Sequence, residues 1–143
     1  MAMFFIQIVL LSLLAIFAWQ RGGTPERHVA LILIGMFVAN VSHWALAGHW
    51  TPYESVPWFR IGIDGLGFVL ILGVALHADR WWPLWVSSVQ LLSVLAHLLR
   101  IVDADIPALA YAIMDQWPFW IAIVITGAGI YSHYRRQQTG TPN

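Results

Sequence analysis

Apolar residues along this chain come in long runs. They show neither the alternation of a half-buried strand nor the three-to-four repeat of a helix with one wet face. An α-helix needs about 20 mainly apolar residues to cross the hydrocarbon core of a bilayer. Five runs meet or approach that length, and the pattern predicts helices over 3–19, 28–48, 58–76, 82–101 and 117–134. The expected fold class is an all-α membrane protein. It is one domain over 1–143, with about five transmembrane helices in a compact antiparallel bundle.

The breaks between runs carry turn chemistry. Arg21-Gly22-Gly23 closes the first run, with the two glycines supplying the turn and Pro25 near the start of the next helix. Ser55 is placed to cap the third helix, with Pro57 in its first turn, and Asp79 to cap the fourth. The third run carries Gly62, Gly65, Gly67 and Gly73, so it is expected in the middle of the bundle, where small residues let backbones approach in lipid. The connection His77–Arg80 is so short that helices three and four must be antiparallel neighbours.

The last run is ambiguous. Residues 106–134 would make about 43 Å of helix, longer than the hydrocarbon core, and Pro118 lies inside. One reading is a single kinked helix. The favoured reading splits it near Pro118, with a short interfacial helix over 106–114 and Asp115 capping a span over 117–134.

Composition strengthens the membrane reading. The chain of 143 residues is 59% hydrophobic and only 10% charged, whereas soluble domains sit near a quarter charged. Nine tryptophans suit the two membrane–water interfaces. Trp19, Trp81, Trp82, Trp85, Tyr131 and Tyr134 fall at one level, and Trp44, Trp50, Trp58, Trp117 and Trp120 at the other. Net charge is zero with no basic tract, which argues against a nucleic-acid partner. The absence of cysteine excludes disulfides, Fe–S clusters and a thiol nucleophile. No basic n-region precedes the first run, so it reads as a retained helix and not as a signal peptide.

Charge also orients the bundle. Arg21, Arg27, Arg80, Arg135 and Arg136 collect at one end. Arg60 and Arg100 collect at the other, with Glu54, Asp103 and Asp105. The positive-inside rule then puts the N-terminus outside and the C-terminus in the cytoplasm, with a bacterial inner membrane as the expected location.

Ionisable groups within spans are costly and raise a functional hypothesis. His43, Asp64, His97, Arg100 and Asp115 fall in the outer third. Asn40 shares a face with His43, and Gln90, Ser93, His97 and Arg100 form one polar stripe on helix four. Tyr111 and Asp115 share a face if their segment is helical. His43 and His97 lie at matching depth on different helices. They suit axial ligation of haem b, with Arg100 on an anionic group. With Asp64 or Asp115 they suit a divalent metal or a proton relay. Each also has a plain structural role: His43 at the interface, Asp64 paired with Arg60, Arg100 snorkelling, Asp115 as a cap, and Gln90 and Ser93 as interhelical glue.

The expected function is an accessory or structural subunit of a membrane complex, in contact with lipid and with other membrane subunits or a second copy. The alternatives are a haem- or small-molecule-binding electron-transfer module and a proton- or ion-coupled transporter. An enzyme is the least supported reading, since neither G-x-S-x-G nor a paired acidic motif is present.

Overall fold

A computed structural model describes residues 2–47, 58–102 and 107–140. It contains five helices: α1 (Ala2–Arg21), α2 (Thr24–Ala47), α3 (Trp58–His77), α4 (Trp82–Val102) and α5 (Ala108–Thr139). No strand occurs among the described residues. Phe4–Arg21, Trp58–His77 and Trp82–Val102 are long and apolar enough to cross a membrane.

The helices pack as a ring. Each touches the next in the chain, α1 closes against α5, and α2 meets α5 across the centre. The centre is thus α2 with α5, and the expectation that α3 lies in the middle is corrected: α3 packs between α2 and α4. The glycines give the reason. Only Gly67 is a close approach, where a Cβ would run into the Met36 side chain of α2. Gly62, Gly65 and Gly73 have open space beside them. A second close helix–helix approach is between α4 and α5, where a Cβ at Gly129 would stand 2.6 Å from the Trp82 ring.

The exterior of the bundle is apolar, unlike that of a water-soluble protein. Phe5, Val69, Leu92 and Val124 are each more than half exposed. Gln90, Ser93, His97 and Thr126 are buried with Leu11, Leu33, Val86 and Ile130. Hydrocarbon, unlike water, solvates such an apolar exterior without cost, and large apolar exteriors are rare on soluble monomers.

Three local expectations change. The turn between α1 and α2 does not use the left-handed freedom of glycine, since the one described glycine with positive φ is Gly140. Gly22 and Gly23 are needed for space instead: a Cβ on Gly22 would meet the Ala18 carbonyl oxygen at 2.6 Å. Trp82 is not in the interfacial belt but in the core, 5% exposed, whereas Trp19, Trp58, Trp81, Trp85 and Trp117 are outward as a belt requires. The split of the last segment is replaced by one helix of 32 residues, about 48 Å long, with Pro118 buried inside it. A proline forfeits one backbone hydrogen bond. Packing of α5 against α4, α1 and α2 holds the helix through that position. Ser55, Pro57 and Glu54 lie outside the described residues, as do Trp50, Asp103 and Asp105. The first turn of α4 closes through Leu84 N–H to the Trp81 carbonyl.

Candidate functional site

On α4 the buried positions are 82, 83, 86, 87, 90, 93, 96 and 97, a three-to-four repeat that turns one face inward. That face carries Ser87, Gln90, Ser93 and His97 among its apolar members, so the stripe seen in the sequence is an interior stripe. On α3 the inward positions are Asp64, Gly67, Ile71 and Ala75. Because α3 and α4 are antiparallel, Asp64, one to two turns into α3, falls opposite the last turns of α4.

The two helices meet there through polar atoms. Ser93 Oγ–H donates to Asp64 Oδ2 at 2.7 Å. His97 Nε2 lies 2.9 Å from the same oxygen. A carboxylate can only accept, so Nε2 carries the hydrogen and donates it. Two donors thus converge on one oxygen of Asp64. His97 is fully buried and the Asp64 side chain only 12% exposed. The Arg60 alternative for Asp64 gives way to these interhelical bonds: among the described residues the carboxylate meets Ser93 and His97.

The other sequence candidates are placed differently. His43 stacks on Phe59 of α3, ring centroids 4.1 Å apart and planes 14° from parallel. Asn40 donates to the Met36 carbonyl on its own helix. Gln90 is buried in the stripe. Arg100 is half-buried at the end of α4. Tyr111 and Asp115 belong to α5, but their side chains lie outside the described part. Among the described residues no group of three or more His, Asp or Glu has metal-ligand geometry. A cavity of about 350 Å³ between α2 and α3 is lined by Leu31, Met36, Ile63, Leu66 and other apolar groups. It offers no polar group to orient a ligand.

A second polar cluster, at the arginine-rich end, escaped the sequence reading. Glu26 in the first turn of α2 is completely buried. Arg80, from the turn between α3 and α4, brings Nη1 to 3.8 Å from Glu26 Oε1. Arg80 Nη2 donates to His133 Nδ1 of α5 at 2.8 Å. The sequence places Arg80 at the arginine-rich end without pointing to Glu26 or His133 as its partners. One signal was available: Glu26 stands three residues after Gly23, in Gly22-Gly23-Thr24-Pro25-Glu26, where two residues without side chains let helices close on it.

Comparison with family models, with curated proteins and with solved structures finds no match.

Proposed function

We propose that this chain is a small polytopic membrane protein whose interior exchanges and relays protons, with Asp64 and His97 as the exchanging pair and Ser93 positioning the carboxylate. The observation that carries the reading is the buried contact of one Asp64 oxygen with both His97 and Ser93. Holding a carboxylate in a bilayer interior costs several kcal/mol, and such groups mark proton and ion pathways. An aspartate and an imidazole in direct contact trade a proton with little motion: a proton joining the carboxylate ends its charge, frees the His97 N–H and lets the imidazole reorient.

Five spans are part of the proposal. The lengths of α2 and α5, the apolar exterior and the exposed tryptophans support it, alongside the three apolar helices. The arginine-rich end is then cytoplasmic, the N-terminus outside, and the pair sits nearer the outer face. An accessory subunit explains the apolar exterior equally well, but a packing role alone does not call for a buried carboxylate. Haem ligation is less favoured, since His97 Nε2 is taken by Asp64 and the His43 ring lies flat on Phe59.

The test is proton flux into dye-loaded proteoliposomes under a pH gradient. Wild-type protein is expected to pass protons above the protein-free rate and Asp64→Asn to abolish the excess. A wild type indistinguishable from empty vesicles would contradict the reading.

A further inference from the structure

The interior polar groups do not stop at Asp64 and His97. Along the buried face of α4 they continue through Gln90 and Ser87 to the Trp82 indole, and Thr126 adds a buried hydroxyl from α5. Ser87 and Thr126 donate to backbone carbonyls of their own helices, the Leu84 and Ala122 oxygens, which leaves their own oxygens able to accept. The Trp82 Nε1–H is buried with no acceptor among the described residues. The stripe runs toward Glu26, and Trp82 to His97 covers about 22 Å of helix rise.

Glu26 is the unusual member. It is fully buried, and neither carboxylate oxygen accepts a hydrogen bond from the described residues. An ionised carboxylate so placed is normally wrapped in donors. Its cationic neighbour among the described residues, Arg80, stands at 3.8 Å from Oε1 and gives its directed hydrogen bond to His133. Arginine only donates, so His133 Nδ1 accepts. Nε2 lies 3.1 Å from the Gln137 side-chain nitrogen. Other charges at this end point away: Arg27 donates to the Trp19 carbonyl, and Arg21 lies over the Tyr134 ring.

Gly23 packs closely against both carboxylate and imidazole. A Cβ there would stand 3.0 Å from Glu26 Oε2 and 3.4 Å from His133 Nε2. A side chain at this position would thus press on both polar groups, and His133 is itself partly exposed.

We propose that Glu26, Arg80 and His133 form a second proton-exchange site, through which the aqueous phase at the arginine-rich end loads and unloads the interior. The exchanged species is one proton. It passes from water, by way of the partly exposed His133 end of the cluster beside Gly23, to Glu26 Oε2; the carboxylate becomes neutral and Arg80 keeps its bond to His133. On release the proton returns to water, and the carboxylate regains Arg80 as counter-charge. No electron or other group moves.

This rests on the proton-relay reading above, and the experiment separates the two. Proton flux is measured in proteoliposomes of the full chain carrying Glu26→Gln or Gly23→Ala. The state of Asp64 is followed in the same samples by its protonated-carboxyl band in infrared pH-difference spectra. Gly23→Ala keeps every titratable group and asks only for a negative-φ alanine whose Cβ presses on Glu26 Oε2 and the His133 ring, so it tests the cluster if Glu26→Gln fails to fold. Both variants are expected to lower flux about tenfold or more while the Asp64 band persists. Wild-type flux in both variants overturns the second site and leaves the Asp64–His97 reading standing. Loss of the Asp64 band in Glu26→Gln and Gly23→Ala alike would mean the two clusters are one folded unit, and also overturns it. A wild type that passes no protons overturns both.

Discussion

His97 Nε2 lies 2.9 Å from Asp64 Oδ2, a contact between residues 33 apart in sequence that joins α4 to α3 inside the bundle. Ser93 donates to the same oxygen. The relationship has energetic consequences before it has functional ones. Truncating one partner of a buried charged pair leaves the other uncompensated, at about 3–5 kcal/mol. His97→Ala is expected to destabilise the bundle on that scale. Ser93→Ala, which removes one interhelical hydrogen bond, is expected to cost about 0.6–1.7 kcal/mol. Reversible unfolding in mixed micelles checks both. Asp64→Asn combined with His97→Ala should cost clearly less than the two singles added, and strict additivity would show that the contact carries no coupling.

The glycines sort into two classes with opposite predicted responses. Gly129 lies against the Trp82 ring, so Gly129→Ala must displace a buried indole and is expected to cost about 1–3 kcal/mol. Gly62 and Gly73 face open space, so Gly62→Ala and Gly73→Ala are expected to be neutral or mildly stabilising. Thermal unfolding of the three variants decides it. Trp82 fluorescence should shift in Gly129→Ala alone.

Topology yields a sided prediction. Native cysteine is absent, so single cysteines report cleanly. Gln20→Cys and Gln138→Cys are expected to react from one side of the membrane, and Val102→Cys from the other. Labelling of all three from one side would contradict five spans.

Purified protein is expected to be colourless and to stay so when offered haem, because the His97 ring is held by Asp64 and the His43 ring by Phe59. A Soret band that disappears in His97→Ala would revive the haem alternative and displace the proton reading.

The helices were largely legible in the sequence because the hydrocarbon core fixes the length of an apolar run. Residues 58–76 and 82–101 correspond to Trp58–His77 and Trp82–Val102. The polar stripe of α4 was legible for a similar reason, since spacings of three and four put Gln90, Ser93 and His97 on one face. Which face turned inward was not, because an apolar exterior in lipid removes the usual contrast between wet and dry sides. The α3 glycines misled, as a glycine marks a close approach only when a neighbour is there to fill it. Pro118 misled because local backbone preference yielded to packing on three helices. Glu26 was hidden most thoroughly. It sits outside the apolar run, in Thr-Pro-Glu-Arg-His, and is buried only because Gly22 and Gly23 let α1 and α2 close tightly and because α5 is longer than one span.

The most direct test of the central claim follows the Asp64 carboxyl itself. Infrared difference spectra between acid and alkaline pH are recorded on the protein in lipid bilayers. A protonated-carboxyl band that shifts in heavy water and is missing in Asp64→Asn is the predicted result, with its position altered in His97→Ala and Ser93→Ala. A spectrum unchanged by Asp64→Asn would mean that Asp64 exchanges no proton, and the account of this protein as a proton-relaying bundle would be wrong.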